Sequence, residues 1–369
     1  MPGGDGMPAA PMKGLTPVAV PGIEAALAER RRAMIAKLER PHSRACVMTL
    51  LVGIEEMKDN QPAFDVVQQL AGKYPIRVIA VGRAEGADGG LAAWVNTECE
   101  GAESVAICTE EIVLQSSADA VDRVISAVRG SLVSELPVVL WWRGSVPSGN
   151  PLWTGLFALA DRAIVDSHRF AFRHAGGDAK AVSSGRGHGP AAIKALRDLL
   201  REAGTRASVR DLNWQRTAPW RAAVATCFDD REMLALLPGI DRCAITFAGE
   251  RDDDPPSARA LLMAGWLRNR LPRLHEQSKV AAGKRSGGLE SGRIVAVTLT
   301  SSTNKSSLLL VRRAAPIGIE AQASSREGKA FRRWDFGAST LTEAQLLDGC
   351  LESLGSDPMF EASLRSAIS

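Results

Sequence analysis

The chain has 369 residues, of which 45% are hydrophobic and 24% are charged, as in a globular protein with a sizeable core and about two domains. Its 45 Lys and Arg residues against 42 Asp and Glu residues leave a net charge of +3. This balance disfavours a dedicated nucleic-acid-binding protein, which carries a strong basic excess. No apolar run approaches the length of a membrane-spanning helix, so we expect a cytoplasmic protein.

The N-terminal segment and one internal segment suggest the domain organisation. Residues 1–22 are rich in Gly and Pro and lack the apolar core of a signal peptide, which predicts a disordered tail. The next clear break is the Gly- and Ser-rich segment 176–190. We therefore predict an N-terminal domain over residues 23–175 and a C-terminal domain over residues 176–369.

The six cysteines are far apart and form no CxxC pair. Most of them lie in apolar runs, where reduced thiols are usually buried. The sequence thus indicates a reducing compartment and identifies no particular redox-active cysteine.

Apolar segments alternate with amphipathic segments in the first half of the chain. The patterns predict strands over residues 45–52, 76–81, 104–108, 137–142 and 163–165, and helices over residues 23–40, 63–71, 120–128 and 152–160. Strands that are apolar throughout and separated by helices are typical of a mostly parallel sheet with helices on both faces. We therefore predict an α/β fold for the N-terminal half.

The second half groups its strands together. Helices are predicted over residues 191–200, 220–228, 258–267, 343–354 and 360–367, and alternating strands over residues 243–247, 294–300, 308–312, 317–323 and 331–336. Residues 206–219 and 279–288 are predicted as loops. Grouped strands of this kind indicate an α+β domain with an antiparallel sheet.

The common catalytic and cofactor motifs are missing from the sequence. It contains no GxxxxGK[ST] phosphate loop, no GxGxxG after a strand, no GxSxG, no HExxH and no Cys/His spacing that suits zinc. The glycines of residues 185–189 precede a helix and could hold an anion there, but a glycine-rich linker is the favoured interpretation. We therefore predict no catalytic, cofactor-binding or metal-binding residue.

Three segments rich in Trp and Arg stand out. In the first, Trp141, Trp142 and Arg143 lie at the carboxyl end of a predicted strand, followed by Gly144. Functional crevices of parallel sheets lie at such ends. In the second, Asp166 follows the next strand and could orient Arg143 in a structural ion pair.

The third segment spans residues 210–221. Thr217 suits a helix N-cap, with Pro219 in the first turn and Trp220 on the buried face. Trp and Arg side chains are the most enriched at binding hot spots. We therefore predict exposed contact residues among the members of this segment that packing does not explain, which are Arg210, Trp214, Arg216 and Arg221, with Asp211 and Asn213 bracing the loop.

Taken in order, LPVVLWWRG, DRAIVDS and DLNWQRTAPWR closely resemble the glucose-6-phosphate dehydrogenase assembly protein family, OpcA. The resemblance extends from about residue 44 to the last helix, where LLDGCLESLGSDPMFEASLRSA also fits. It implies a non-enzymatic protein that binds glucose-6-phosphate dehydrogenase, promotes its active oligomer and raises its activity in the pentose phosphate pathway. A link to thioredoxin is associated with some cyanobacterial members, but no cysteine lies within the three motifs.

The residues of the three segments divide into predicted partner contacts and predicted structural residues. The predicted partner contacts are Arg143, Arg210, Trp214, Arg216 and Arg221, and the predicted structural residues are Trp141, Trp142, Gly144, Asp166, Asp211, Asn213, Pro219 and Trp220. Two alternatives stay open. One is an enzyme acting on a sugar phosphate or nucleotide, with Arg143 and Asp166 lining the crevice, and the other is an RNA-binding module that uses the basic residues 268–285.

Overall fold

The computed structural model describes residues 14–36, 42–43, 46–57, 61–83, 90–100, 106–117, 120–170, 189–274, 278–284, 289–325, 327–337, 340–352 and 355–367. The chain divides into two compact units. Unit 1 comprises Met1–Val165 and Thr205–Val209, and unit 2 comprises Asp166–Gly204 and Arg210–Ser369. The domain boundary predicted at residue 176 lies outside the described residues and stays a prediction.

The sheet of unit 1 is built from β1 (Thr16–Val18), β2 (His42–Ser43), β3 (Met48–Glu56), β4 (Ile76–Arg83), β5 (Leu91–Glu100), β6 (Ala106–Ser116), β7 (Val138–Trp142), β8 (Arg162–Val165) and β9 (Ser208–Asp211). The strand order is β1-β5-β6-β4-β3-β7-β8-β9, and β2 pairs with β6. The β6-β4, β4-β3, β3-β7 and β7-β8 pairs are parallel, whereas β5 is antiparallel to both β1 and β6. The predicted mostly parallel sheet is confirmed.

The helices of unit 1 are α1 (Ile23–Ile35), α2 (Gln61–Ala71), α3 (Val121–Gly130) and α4 (Pro151–Phe157). Asn150 caps α4, since its side chain accepts hydrogen bonds from the backbone of Leu152 and Trp153. The ring of Trp153 packs edge-on against Trp142 of β7, with the ring centroids 5.6 Å apart. A Cβ on Gly53 of β3 would lie 2.5 Å from the Trp142 ring, so this strand position requires glycine.

The N-terminal segment differs from its predicted disorder. Residues 1–13 lie outside the described residues, but β1 pairs with β5 through Thr16 and Val95, and a 3-10 turn follows at Val20–Gly22. Neither β1 nor β5 was predicted from the sequence. In this pairing Pro17 of β1 lies opposite Trp94 of β5, whose side chain is buried.

One cysteine differs from the reduced thiols that the sequence indicates. Cys108 is disulfide-bonded, so the expectation is wrong at this position. Cys46, Cys227, Cys243 and Cys350 carry thiols that are not part of a disulfide. Burial raises the pKa of Cys227 and of Cys243 to about 12, which keeps both thiols protonated and unreactive at neutral pH.

Unit 2 contains α5 (Gly189–Ala203), α6 (Leu212–Gln215), α7 (Ala218–Cys227), α8 (Arg231–Leu236), β10 (Arg242–Gly249), α9 (Ala258–Arg270), β11 (Ser278–Lys284), β12 (Ile294–Ser301), β13 (Ser306–Arg313), β14 (Gly318–Ser324), β15 (Ala330–Gly337), α10 (Glu343–Leu351) and α11 (Pro358–Ser366). Its sheet has the order β11-β10-β12-β13-β14-β15. The β10-β11 pair is parallel and the other pairs are antiparallel, which confirms the predicted α+β arrangement.

Helix α9 forms the centre of unit 2. All ten residues from Ala258 to Leu267 are buried. A Cβ on Gly265 would lie 2.0 Å from the carbonyl oxygen of Ser363, so glycine allows α11 to pass directly against α9. Within the described part of the chain, no helix combines the length and the apolar character needed to cross a membrane.

Candidate functional site: a buried charged cluster and its cavity

The segment of residues 210–221 forms packed structure. Trp214 is only 1% exposed and Arg210 is also buried, so the expectation that these two side chains are exposed is wrong. The physical reason is a shared acceptor on the last helix. Trp214 Nε1 donates to Asp357 Oδ2 at 3.1 Å, and Arg210 Nη1 lies 2.9 Å from the same oxygen. The Trp214 ring also packs against Phe360.

Arg221 covers the remaining face of Trp214. Its guanidinium lies 3.7 Å from the centre of the ring, a cation–π contact, and its Nε donates to Thr217 Oγ1 at 3.0 Å. Burial lowers the pKa of Arg221 to about 10, and the group still carries its charge at neutral pH. Thr217 occupies the predicted N-cap position of α7, with Pro219 in the first turn, although its side chain makes no capping hydrogen bond.

Asp166 is paired with Arg216 within unit 2. Arg216 Nη1 donates to Asp166 Oδ1 at 2.6 Å, and Nη2 donates to Oδ2 at 2.8 Å. Burial disfavours the charged carboxylate, but these hydrogen bonds hold the pKa of Asp166 below its usual value. Arg216 therefore binds both carboxylate oxygens of Asp166, and the expected pairing of Asp166 with Arg143 stays a prediction.

The first predicted segment lies in unit 1. Trp141 and Trp142 are both fully buried in β7. The guanidinium of Arg143 lies 4.7 Å from the centre of the Trp141 ring, and its backbone N–H donates to Gly53 O at 2.8 Å. Gly144 follows, and a Cβ there would lie 2.7 Å from the Trp142 ring.

A second buried carboxylate, Asp211, ties two strand ends together. Asp211 Oδ1 accepts from the backbone N–H groups of Ser167 at 2.9 Å and of Asn213 at 3.0 Å, and Oδ2 accepts from Ser167 Oγ at 2.7 Å. Burial and the nearby charge of Asp166 raise the pKa of Asp211 to about 6. Asp211 and Asn213 therefore brace this segment from inside.

Asn213 connects this network to Arg259 on α9, a residue that the sequence analysis missed. Arg259 Nε donates to Asn213 Oδ1 at 2.9 Å, and Arg259 is only 5% exposed. The feature of the sequence that could have identified Arg259 is its position within the otherwise apolar run of residues 258–267. A buried arginine needs compensation by hydrogen bonds or by an anion.

Arg259 lines a cavity of about 40 Å³ in unit 2. The walls also include the first residues of α5 and α9, the polar side chains of His168 and Asn213, and Asp254. His168 Nε2 lies 2.8 Å from Glu290 Oε1, and this hydrogen bond is the main cause that lowers the pKa of Glu290 to about 2. The described residues contain no cluster of three or more His, Cys, Asp or Glu side chains arranged for a metal ion.

Two family models match the chain in order. The model described as "Glucose-6-phosphate dehydrogenase subunit N-terminal domain" matches residues 67–182, and the corresponding C-terminal domain model matches residues 207–364. The chain belongs to the OpcA family. The first two Trp- and Arg-rich segments lie within the first model of this OpcA family match, and the third segment lies within the second.

Cyanobacterial OpcA proteins are among the relatives. An OxPP cycle protein OpcA of Nostoc punctiforme is 31% identical over 232 residues, which are 62% of this chain and 44% of that protein. Its namesake in Synechocystis is 26% identical over 209 residues, 56% of this chain and 39% of that protein. The matched region is thus less than half the length of these OpcA relatives. Among solved structures, glucose-6-phosphate 1-dehydrogenase of Mycobacterium avium is similar with a TM-score of 0.42 and 11% identity, covering 88% of this chain and 87% of that one.

Proposed function

We propose that this protein is a non-catalytic assembly factor, which binds glucose-6-phosphate dehydrogenase in the cytoplasm and promotes its active oligomer. The observation that supports this function is the family match, since both models are described as domains of a glucose-6-phosphate dehydrogenase subunit. The relatives are named as proteins of the OxPP cycle. Such a factor acts by binding the active oligomer more tightly than the inactive form.

The solvent-exposed face of the unit 2 sheet is the surface that we propose for the dehydrogenase. Leu309 and Val311 of β13 are 39% and 38% exposed on this face. Exposed faces of antiparallel sheets usually carry polar side chains, so two central apolar side chains favour a binding role. In register with them across the sheet lie Ala244, Thr246, Ala296, Thr298, Glu320, Gln322, Arg333 and Asp335.

The other residues of this face support contact with a protein. Thr and Ala side chains on β10 and β12 are short, so little conformational entropy is lost when a partner covers them. The face carries opposite charges on its edge strand β15, where Arg333 and Asp335 lie, and Arg313 binds Asp335 at 2.7 Å. This combination of an apolar centre and a charged rim is typical of protein–protein interfaces.

The predicted contacts divide into two groups in this proposal. Arg143, Arg216 and Arg221 are partly exposed and remain proposed contacts. Arg210 and Trp214 are buried, so their proposed role is to hold the segment of residues 210–221 in place.

Mixing experiments with the purified dehydrogenase test the function. Wild-type protein is expected to co-elute with the dehydrogenase and to raise its rate of glucose-6-phosphate oxidation. Leu309→Asp places a charge in the centre of the proposed face, and we expect at least about tenfold weaker binding, the usual scale of a hot-spot change. Ile317→Asp is the matched control, because Ile317 is 52% exposed in the turn after β13.

Three results would contradict these proposals. The absence of a complex and of any rate change at micromolar concentrations would refute the assembly function. Equal effects of Leu309→Asp and Ile317→Asp would exclude the sheet face as the contact surface. Turnover of a sugar phosphate or nucleotide by the chain alone, abolished by Arg143→Ala, would instead identify an enzyme.

A further inference from the structure

The cavity of unit 2 has the size and the boundaries of a small-ligand site. Its volume of about 40 Å³ exceeds the roughly 10–15 Å³ that a single water requires. Two helices begin at its wall, α5 at Gly189 and α9 at Ala258. A ligand in this cavity would therefore lie against two helix N-termini.

Arg259 supplies a positive charge at this cavity. Its Nε is held by Asn213, whereas its Nη2 has no hydrogen-bond partner among the described residues. Burial lowers the pKa of Arg259 to about 10, and the guanidinium is still protonated at neutral pH. A buried cationic donor without a partner is costly unless an anion or water occupies the adjacent space.

The neighbouring carboxylates are already engaged elsewhere. Asp166 is bound by Arg216 through both oxygens, and Glu290 is bound by His168. Asp211 accepts three hydrogen bonds from Ser167 and Asn213. Because these three carboxylates are hydrogen-bonded to other groups and none of them is bound by Arg259 Nη2, this donor remains available for a bound anion.

The two helix N-termini add to the preference for negative charge. Helix α5 has 15 residues and α9 has 13, so both carry a positive partial charge at the end that meets the cavity. A Cβ on Gly189 would lie 1.8 Å from the carbonyl oxygen of Pro256, so only glycine lets α5 begin this close to the turn before α9. This close approach brings the two positive ends together.

The carboxylate of Asp254 lies in the wall of the same cavity and restricts which anions can bind there. Asp254 Oδ2 accepts from the backbone N–H groups of Glu250 and Arg251, whereas the buried Asp254 Oδ1 accepts no hydrogen bond among the described residues and lies 3.6 Å from Nε of the exposed Arg251. An anion that carries a proton can donate to this oxygen, and hydrogen phosphate does so. Sulfate has no proton at neutral pH and is repelled by the carboxylate.

We propose that this cavity binds the phosphoryl group of a small phosphate. Arg259 Nη2 donates a hydrogen bond to a phosphoryl oxygen, and Asp254 Oδ1 accepts a hydrogen bond from the phosphoryl O–H. The inference is independent of whether the chain binds the dehydrogenase. Inorganic phosphate carries this proton as hydrogen phosphate at neutral pH, and a phosphate monoester carries it in its monoanionic form, which is well populated at about pH 6. The free volume fits the phosphoryl group itself.

Calorimetric titration with inorganic phosphate at constant ionic strength tests the proposal on the full chain. We expect saturable binding by the wild-type protein, weaker binding of sulfate, and at least about tenfold weaker phosphate binding by Arg259→Met. Arg312→Met is the matched control. This variant removes a half-buried arginine of unit 2, whose guanidinium lies 5.6 Å from the Trp220 ring and outside the cavity wall, and it should bind phosphate normally.

Titrations with glucose 6-phosphate and with inorganic phosphate at about pH 6, where roughly half of the ester carries the phosphoryl proton, separate the two sources of the phosphoryl group. Binding of the ester as tight as that of phosphate indicates a phosphorylated metabolite, whereas binding of inorganic phosphate alone indicates the free ion. The proposal is overturned by a wild-type protein that binds neither compound, by equal phosphate affinities of Arg259→Met and Arg312→Met, or by sulfate binding at least as tight as phosphate.

A crystallographic measurement on the wild-type protein covers the case in which Arg259→Met does not fold. Arsenate has the charge and the protonation of phosphate, and its anomalous signal locates it directly. An arsenate ion within hydrogen-bond distance of Arg259 Nη2 supports the site. Ordered water alone in the cavity of an arsenate-soaked crystal refutes it.

Discussion

The pH dependence of stability should change when Asp211 is replaced by asparagine. This carboxyl group is fully buried beside Asp166, and its pKa is raised from 3.8 to about 6. In the unfolded chain the group loses its proton near pH 3.8, whereas in the folded state it keeps the proton up to about pH 6. Between these values the folded state binds more protons, so this group makes the protein less stable as the pH rises.

The magnitude follows from the two pKa values. A rise from 3.8 to about 6 corresponds to about 3 kcal/mol, at about 1.4 kcal/mol per pH unit. The free energy of unfolding of the wild type, minus that of Asp211→Asn, should therefore fall by up to about 3 kcal/mol between about pH 4 and pH 7. Urea denaturation followed by tryptophan fluorescence at each pH measures this difference.

Asp241 provides the control for this experiment. Hydrogen bonds from Ser302 lower the pKa of Asp241, which is the opposite direction. A pKa that is lower in the folded state than in the unfolded chain stabilises the protein at pH values above the unfolded pKa. The free energy of unfolding of the wild type, minus that of Asp241→Asn, should therefore not fall as the pH rises. Parallel pH profiles for the wild type and Asp211→Asn would refute the raised pKa of Asp211.

Two further changes test the packing of unit 2. Gly265→Ala places a Cβ 2.0 Å from the carbonyl oxygen of Ser363 and must push α11 away from α9, so we expect a loss of about 1–3 kcal/mol or more and a lower melting temperature by calorimetry. Trp214→Phe keeps an aromatic ring but leaves Asp357 without the indole donor, so we expect a loss of about 1–2 kcal/mol in urea denaturation, and no measurable loss would contradict the role of that hydrogen bond.

Strands and helices with strong apolar patterns were predictable from the sequence. The run at residues 137–142 corresponds to β7, in which all five residues are buried, and the helix predicted over residues 258–267 corresponds to the buried part of α9. In such segments the periodicity follows directly from which side chains are removed from water. Local pattern and tertiary packing agree there.

The strands that were missed depend on their partners. β11 lies in a segment rich in Lys and Gly that was predicted as a loop, and it forms by pairing in parallel with β10 over seven residues from Ser278 to Lys284. β9 lies within another predicted loop, and its N-terminal Ser208 donates its backbone N–H to Asp161 O at 2.9 Å. Edge strands of this kind are stabilised by hydrogen bonds to residues far away in the sequence, so their own sequences show no alternation of apolar and polar residues.

Some members of the candidate site were predictable from the sequence, but Arg259 and the pairing of the members were not. The sequence identified Asp166, Asp211, Asn213 and Arg216 as residues of interest, and they do lie in one network. It could not show that Arg216, 50 positions further along the chain, is the partner of Asp166. Ion-pair partners are set by the fold, whereas enrichment of Trp and Arg is a property of composition alone.

The burial of this network changes where binding should be sought. Trp214 has a hydrogen-bond partner at Asp357 and a stacked guanidinium at Arg221, so its replacement disturbs several contacts at once. A side chain with that many internal partners is fixed by the folding of its own unit, whatever the protein binds. Leu309, which we propose as a contact, has fewer internal constraints, because its side chain is exposed on one face of a sheet. Trp214 and its partners in the segment of residues 210–221 therefore belong to the framework of unit 2, whereas the contact surface that we propose lies on the exposed face of its sheet.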